Sequence, residues 1–411
     1  MNGRYEARYY GFEKKPKSDS CWALSTGPDG RIYAAACTEL TGGEQVTVVR
    51  YDDVNDTLEY LVDVGSVVGD PPDSGRATQC KIHYSFAPSL KDGILYAATH
   101  LSGPPIGERF YSPWGSWYDT KRAFRGSALL AYDTVKDKVV WTDTLIPKEG
   151  CRCLALDDER ETLYALSYPR DHFIIYELKT RQRRDLGRIG SVNSQCIFFD
   201  SRKRVFFSDD RGHLMRYDPK KGILETLPMV LPHAFYQTGW HSVLYDAVAS
   251  PDNSCIYIIT WIANPRLIRF FPEEGNFGRI EDLGPLTQER DTTVPIDTFL
   301  DHAGGLVFGL DQKLYCVVSR WKKNVAAVPS NHCAPATGVV LRIDPNTLVK
   351  EEVTQLCRKG TSAQYVSRGA RDRRGNLFFG HVGIPPVGIF KLTMPSKNRK
   401  NQAHLPLRMW G

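Results

Sequence analysis

The feature that most restricts the fold is a strand-rich unit that recurs along the whole chain every forty to sixty residues, roughly. Each copy opens on a β-rich run and turns at a polar segment with Asp or Gly. It continues in a strand of the form Leu/Ile-Tyr plus small residues, and closes on Tyr-Asp or its equivalent before a charged turn. The first copy passes through Pro28-Asp29-Gly30 and Arg31-Ile32-Tyr33 to Tyr51-Asp52. The next three are built on residues 93–98, 162–166 and 204–208, and end at Tyr132-Asp133, Tyr176-Glu177 and Tyr217-Asp218. The last three are built on residues 255–259, 313–318 and 376–380, and end at Phe270-Phe271, Ile343-Asp344 and Phe390-Lys391.

A unit of about four strands cannot bury both faces alone, so the copies must stack on one another. The expected fold is therefore all-β: a seven-bladed β-propeller of four-stranded antiparallel blades, one domain over residues 1–411. The alternating run at residues 5–10 is expected to complete the last blade. Two stacked β-sandwiches are the rival, but sandwich strands share no internal repeat. The hydrophobic content of 42% is ample for such a core and excludes a disordered chain.

Formal net charge is +6, spread along the chain, with no basic stripe or nucleic-acid module. No nucleic-acid partner is expected, while a locally basic cleft for an acidic substrate fits the number. The 10 Cys form no C-x-x-C pairs, and most sit in apolar strand runs, so buried free thiols are expected. Cys151 and Cys153, two apart on a strand, should face one side. With no apolar signal region and no apolar run of about 18 residues, no membrane partner is expected. The chain as given reads as a cytoplasmic monomer, or as secreted or periplasmic if a signal peptide has been removed.

Two insertions break the repeat. Residues 101–124 are rich in Gly, Pro and aromatics, with Trp114 and Trp117 suited to stacking on sugars; residues 324–337 carry His332 and Cys333. Long loops on a rigid ring are where binding sites gather. Beside the first loop, His83 and His100 occupy neighbouring strands at matching ends, a spacing that can bring both imidazoles to one rim. Tyr168 precedes Pro169, which ends ladder pairing and leaves Tyr168 at a strand end. Downstream come His172-Phe173, Tyr176 and the run Arg184-Asp185-Leu186-Gly187-Arg188. A paired-carboxylate glycosidase site is hard to defend, because Asp and Glu cluster in the turns.

The blade form, the histidine pair and the Tyr-Pro…His-Phe…Tyr…Arg-Asp-Leu-Gly-Arg run together resemble the seven-bladed propeller polysaccharide lyases. These are the ulvan lyases and L-rhamnose-α-1,4-D-glucuronate lyases; α-L-rhamnosidases are related on the same fold. The resemblance implies β-elimination on an acidic oligo- or polysaccharide with a 4-O-linked uronic acid, with His83, His100, Tyr168 and Arg184 as the catalytic set. Elimination removes the C5 proton beside a carboxylate, so a cation must neutralise that carboxylate, and Arg184 with one histidine would serve. Tyr168 with His83 or His100 would form the acid–base pair.

The chain departs from the family where a further Arg is expected: it carries Trp240-His241 instead, which could line a sugar subsite along with Arg188. The rhamnosidases use a first-blade His, whereas no His precedes His83 here and Glu39 occupies that neighbourhood, which favours lyase over hydrolase. A retuned hydrolase and a non-catalytic glycan- or protein-binding propeller remain the alternatives. No cofactor is required for the chemistry. A structural divalent metal, zinc or calcium, has loose candidate ligands in His302, His332, Cys333 and His381, without tight ligand spacing.

Overall fold

The computed structural model describes residues 4–39, 44–101, 118–190, 194–232, 244–260, 265–287, 302–321, 336–358, 361–362 and 365–395. Nearly all regular structure is strand. Strand β1 (Glu6–Gly11) comes first. Sheet one is β2 (Leu24–Thr26), β3 (Ile32–Ala36), β4 (Thr47–Asp52) and β5 (Thr57–Asp63). Sheet two is β6 (Lys81–Ser89), β7 (Ile94–His100), β8 (Gly126–Asp133) and β9 (Lys138–Pro147). Sheet three is β10 (Gly150–Asp157), β11 (Thr162–Tyr168), β12 (His172–Glu177) and β13 (Arg183–Arg188).

Sheet four is β14 (Phe198–Phe199), β15 (Val205–Ser208), β16 (His213–Asp218) and β17 (Ile223–Val230). Sheet five is β18 (Leu244–Ala249), β19 (Ile256–Thr260), β20 (Arg266–Phe271) and β21 (Arg279–Pro285). Sheet six is β22 (His302–Phe308), β23 (Leu314–Trp321), β24 (Ala336–Ile343) and β25 (Lys350–Gln355). After the short pair β26 (Cys357–Arg358) and β27 (Thr361–Ser362) comes sheet seven. It holds β28 (Tyr365–Arg371), β29 (Leu377–Val382) and β30 (Gly388–Thr393), with β1 as its fourth strand. A parallel bridge between β10 and β6 joins sheets two and three into one eight-stranded sheet, and the other five are four-stranded; the seven antiparallel four-strand units make this a seven-bladed β-propeller.

The Tyr-Asp repeat explains why each hairpin turns where it does. The Asp52 carboxylate accepts from Val54 N–H at 2.9 Å, Asp133 from Lys136 N–H at 2.8 Å, and Asp218 from Lys220 N–H at 2.9 Å. These Asp turns hold the backbone in a bend without help from the ladder. The tyrosines of the first two motifs reach over their own turns. Tyr51 donates to Asp56 and Tyr132 to Asp137, and both carboxylates sit on residues with φ of 57°.

Burial follows strand order: β3 is buried throughout, whereas β13 is mostly exposed. The chain forms two compact units. One holds sheets one to three; the other holds sheets four to six and the greater part of sheet seven. In the first unit Tyr33, Val48, Ile82, Leu95 and Tyr132 join sheets one and two in one core, and Ala98, Leu129, Leu154 and Ile174 join sheets two and three in another. In the second, Phe206, Ile258 and Phe270 fill the corresponding space between sheets four and five. Eight of the nine cysteines among the described residues are buried and all nine are free, as their apolar strand positions lead one to expect. Burial pushes the thiols of Cys21 and Cys151 up to about 12, so they act as inert apolar groups.

In sheet seven, His381 is fully buried, with Nδ1 at 3.3 Å from the Tyr9 hydroxyl of β1. Burial, with Arg358 nearby, pushes it down from 6.5 to about 3. The unfolded chain therefore binds this proton first, so the contribution is complete above pH 6.5 and falls as pH drops toward 3. His381 alone should cost about 2 kcal/mol of stability between pH 6.5 and roughly pH 5. Denaturant melts of wild type and His381→Phe at both pH values should show a shallower pH dependence in the variant.

Candidate functional site

The site is built where the first strands of sheets two and three run side by side, with Cys153 of β10 paired in parallel to Tyr84 of β6. Both strands carry a bulge at this point. In β6 the register slips between Ile82 and Phe86, which leaves His83, Tyr84 and Ser85 opposite a single residue of β7. In β10 Cys151 pairs with Ser167 and Cys153 with Leu166, so Arg152 is the extra residue. An extra residue loses its ladder partner and has its side chain re-aimed, which is how bulges serve sites. The expectation that Cys151 and Cys153 face one side fails here, because Arg152 interrupts the alternation between them.

Five groups form a continuous stack. The Trp22 ring lies 4.9 Å from His83 at 18°. His83 lies 5.2 Å from His100, and His100 lies 4.7 Å from Tyr168 at 25°. The Arg152 guanidinium covers the Tyr168 ring at 4.7 Å from its centroid. Each aromatic contact contributes about 0.5–1.5 kcal/mol, and the cation on Tyr168 a similar amount. Lys81 Nζ lies 4.8 Å over the Trp22 ring and is paired with Glu39 at 2.7 Å.

Two local devices set this geometry. Gly150 opens β10 against the end of β7, where a Cβ would meet Leu101 N at 2.3 Å and His100 Cα at 2.9 Å. Only glycine lets the two backbones come this close, and the approach brings His100 onto Tyr168. Gly150→Ala should cost about 1–3 kcal/mol, seen as a lower Tm, and should loosen the stack. Beside it, buried Glu149 accepts from Ser167 Oγ at 2.6 Å and from Arg170 Nε at 2.6 Å, fastening the turn that carries Tyr168. Ala77, Leu101 and Phe124 pack against Tyr168, so the two ends of the aromatic insertion adjoin the site.

Both imidazoles are held well below the usual histidine range, chiefly by burial and then by the charges of Lys81 and Arg152. They are neutral bases at physiological pH. His83 Nδ1 is 3.0 Å from the Arg152 carbonyl oxygen. Neither ring nitrogen of His100 reaches a partner in hydrogen-bonding geometry among the described residues, although the Leu101 backbone lies close enough to favour its protonated form a little. Arg152 Nε is likewise buried without an acceptor among the described residues. Unpaired buried polar atoms are costly, and three of them lie in this one stack.

His83, His100 and Tyr168 are thus brought together, and Arg184 is not. It lies exposed on β13, opposite Ile175, which pairs with Tyr164 rather than Tyr168. An arginine on the fourth strand of the sheet cannot reach a site on its first. Arg188, at the end of the same strand, is exposed and donates to the Gly190 carbonyl at 2.7 Å. Trp114, Trp117, Trp240, His241, His332 and Cys333 lie outside the described residues. His302 starts β22, stacked 3.7 Å from Tyr365, and His381 lies on β29. Among the described residues no three His, Cys, Asp or Glu side chains are placed to hold a metal.

Arg152, Lys81, Trp22 and Glu39 were not legible as site residues. A signal existed in two of them: an arginine between two buried cysteines and a lysine inside an apolar strand are charges where the pattern calls for none.

No family model matches the chain, and no curated protein matches it. Solved structures do share its fold. It is similar to the extracellular domain of the hybrid two component system BT4673 from B. thetaiotaomicron, with 14% identity over 95% of this chain and a TM-score of 0.59. The chain spans only 39% of that one. It is also similar to a streptogramin B lyase, with 11% identity, 95% of this chain, 97% of that one and a TM-score of 0.58. The WD40 repeats of RRP9 align at 9% identity over 94% of this chain and 99% of that one, with a TM-score of 0.56. At these identities the likeness concerns the fold, a β-propeller that serves proteins of several kinds. Among the described residues no helix is long and apolar enough to cross a membrane.

Proposed function

We propose that the chain is a polysaccharide lyase that cleaves a 4-O-linked uronic acid glycan by β-elimination, at L-rhamnose-α-1,4-D-glucuronate linkages. The observation that carries this reading is the unbroken stack of two neutral, buried imidazoles, a tyrosine and an arginine. A neutral histidine takes the C5 proton, and the electrons of that bond form the C4=C5 double bond. The C4–O4 bond breaks, and O4 leaves with its electron pair and takes the Tyr168 hydroxyl proton. Proton transfer from the imidazolium back to the phenolate, directly or through water, resets the pair.

Arg152 takes the role first expected of Arg184. Its guanidinium neutralises the substrate carboxylate and the enolate-like charge that develops beside C5. A hydrolase of the paired-carboxylate kind would need two carboxyl groups flanking the bond. Here Glu39 is already engaged, by Lys81 at 2.7 Å and by Trp22 Nε1 at 2.5 Å. The cationic groups suit an acidic glycan as partner, and the elimination calls for no metal or other cofactor.

The test is incubation with rhamnose–glucuronate polysaccharides, following ultraviolet absorbance of a 4,5-unsaturated uronate. Absorbance rising with cleavage supports the proposal. New reducing ends without absorbance would assign a hydrolase, and binding without cleavage a non-catalytic propeller.

A further inference from the structure

Lys81 is the least expected group in the site. It is a lysine with 1% of its surface exposed, at the start of β6, and its register partner is His100. Burying an ammonium is costly unless it is paired and held, and here it is both. Glu39 takes it at 2.7 Å through Oε1, and the same carboxylate accepts from Trp22 Nε1 through Oε2. Glu39 is itself anchored, its backbone N–H donating to Asp19 at 2.8 Å. The ammonium, the carboxylate and the indole therefore form one closed unit, and the indole face lies against His83. Tyr84 stands edge-on to both rings, at 6.0 Å from Trp22 and 4.4 Å from His83.

The other contact of His83 decides where its proton sits. A carbonyl oxygen can only accept, so the 3.0 Å contact with Arg152 requires the proton on Nδ1. In the neutral ring, Nε2 then carries the lone pair.

We propose that the Lys81–Glu39 pair and Trp22 form a positioning clamp that fixes the orientation of His83, so that the Arg152 carbonyl holds its Nδ1–H tautomer and Nε2 is left as the site's proton acceptor. The acceptor role rests on the lyase reading; the tautomer and the clamp do not. The charged and titratable groups facing His83 are Lys81 on its own strand, His100 on β7, Arg152 on β10, Tyr84 beside it, and Glu39 behind Trp22. Two of these are cations that oppose a third positive charge on the imidazole, and Lys81 is the one that makes no contact with Tyr168 in the stack.

The experiment is two-bond nitrogen–proton correlation NMR of the full chain labelled at histidine nitrogens, with His83→Gln to assign the signal. The wild type should show His83 as the neutral Nδ1–H form across the neutral range. In Lys81→Met, and in the charge-balanced double variant Lys81→Met/Glu39→Gln, protonation of His83 should move upward by about one pH unit, a tenfold change in protonated fraction at a given pH. The acid limb of the kcat profile should move with it, and Lys81→Arg should restore both. An Nε2–H tautomer in the wild type, or an unmoved titration in a folded double variant, overturns the clamp. A moved titration with an unmoved kcat profile on a substrate that is cleaved removes His83 as the acceptor. An Nδ1–H tautomer with no unsaturated product from any uronate glycan overturns the lyase reading and its acceptor role, while the clamp stands.

Discussion

Replacing Tyr168 with Phe, or His83 with Gln, is expected to lower kcat on a glucuronate-containing glycan by about 10²–10⁴-fold, the range for losing a positioned acid or base. KM should change much less, because neither group is asked to hold the sugar in the ground state. Tyr168→Phe is the cleaner test. The ring keeps its contacts with His100 and Arg152, and the turn held by Glu149 is untouched. His83→Gln also removes a buried ring from the stack, so its kcat must be read beside its Tm. Retention of full activity by both variants would remove the acid–base assignment altogether.

The second large effect separates two arginines. Arg152→Met should lower kcat/KM by about 10²–10³-fold, as expected when a preorganised cation is taken from a developing charge. Arg184→Met should leave it unchanged, since that side chain is exposed at the far edge of sheet three. If Arg184 proved essential and Arg152 dispensable, the cation would have to reach the substrate by a route the stack does not offer. Steady-state kinetics on the same substrate preparation, with melting curves for both variants, decides between them.

The propeller was legible because its cause is local and repeated. Tyr132-Asp133 and Tyr217-Asp218 each build a turn by contacts within a few residues, and sevenfold repetition leaves little else for the chain to form. His83, His100 and Tyr168 were legible because strand ends can be read from hydrophobic runs and from Pro169. Arg152 was not, since Cys151-Arg152-Cys153 reads as plain alternation and a bulge leaves no mark in composition. Arg184 drew attention as part of a basic run, but which strand of a blade such a run occupies is set by counting strands from the first. Trp22 and Glu39 reach the site from sheet one, so their role depends on packing between neighbouring repeats, which periodicity does not specify.

The bulges have a bearing on how this ring can be altered. Register slips of the same kind interrupt the first strands of sheets five, six and seven as well as two and three. A residue without a ladder partner contributes little to holding its sheet together, so replacing it disturbs the scaffold less than a change one position away. Directed libraries confined to such positions, Arg152 among them, should return a higher share of folded proteins than libraries of equal size drawn from paired neighbours such as Leu154 and Ala165. The frame and what it presents would then be separately adjustable, one set of positions keeping the blade and the other choosing its chemistry.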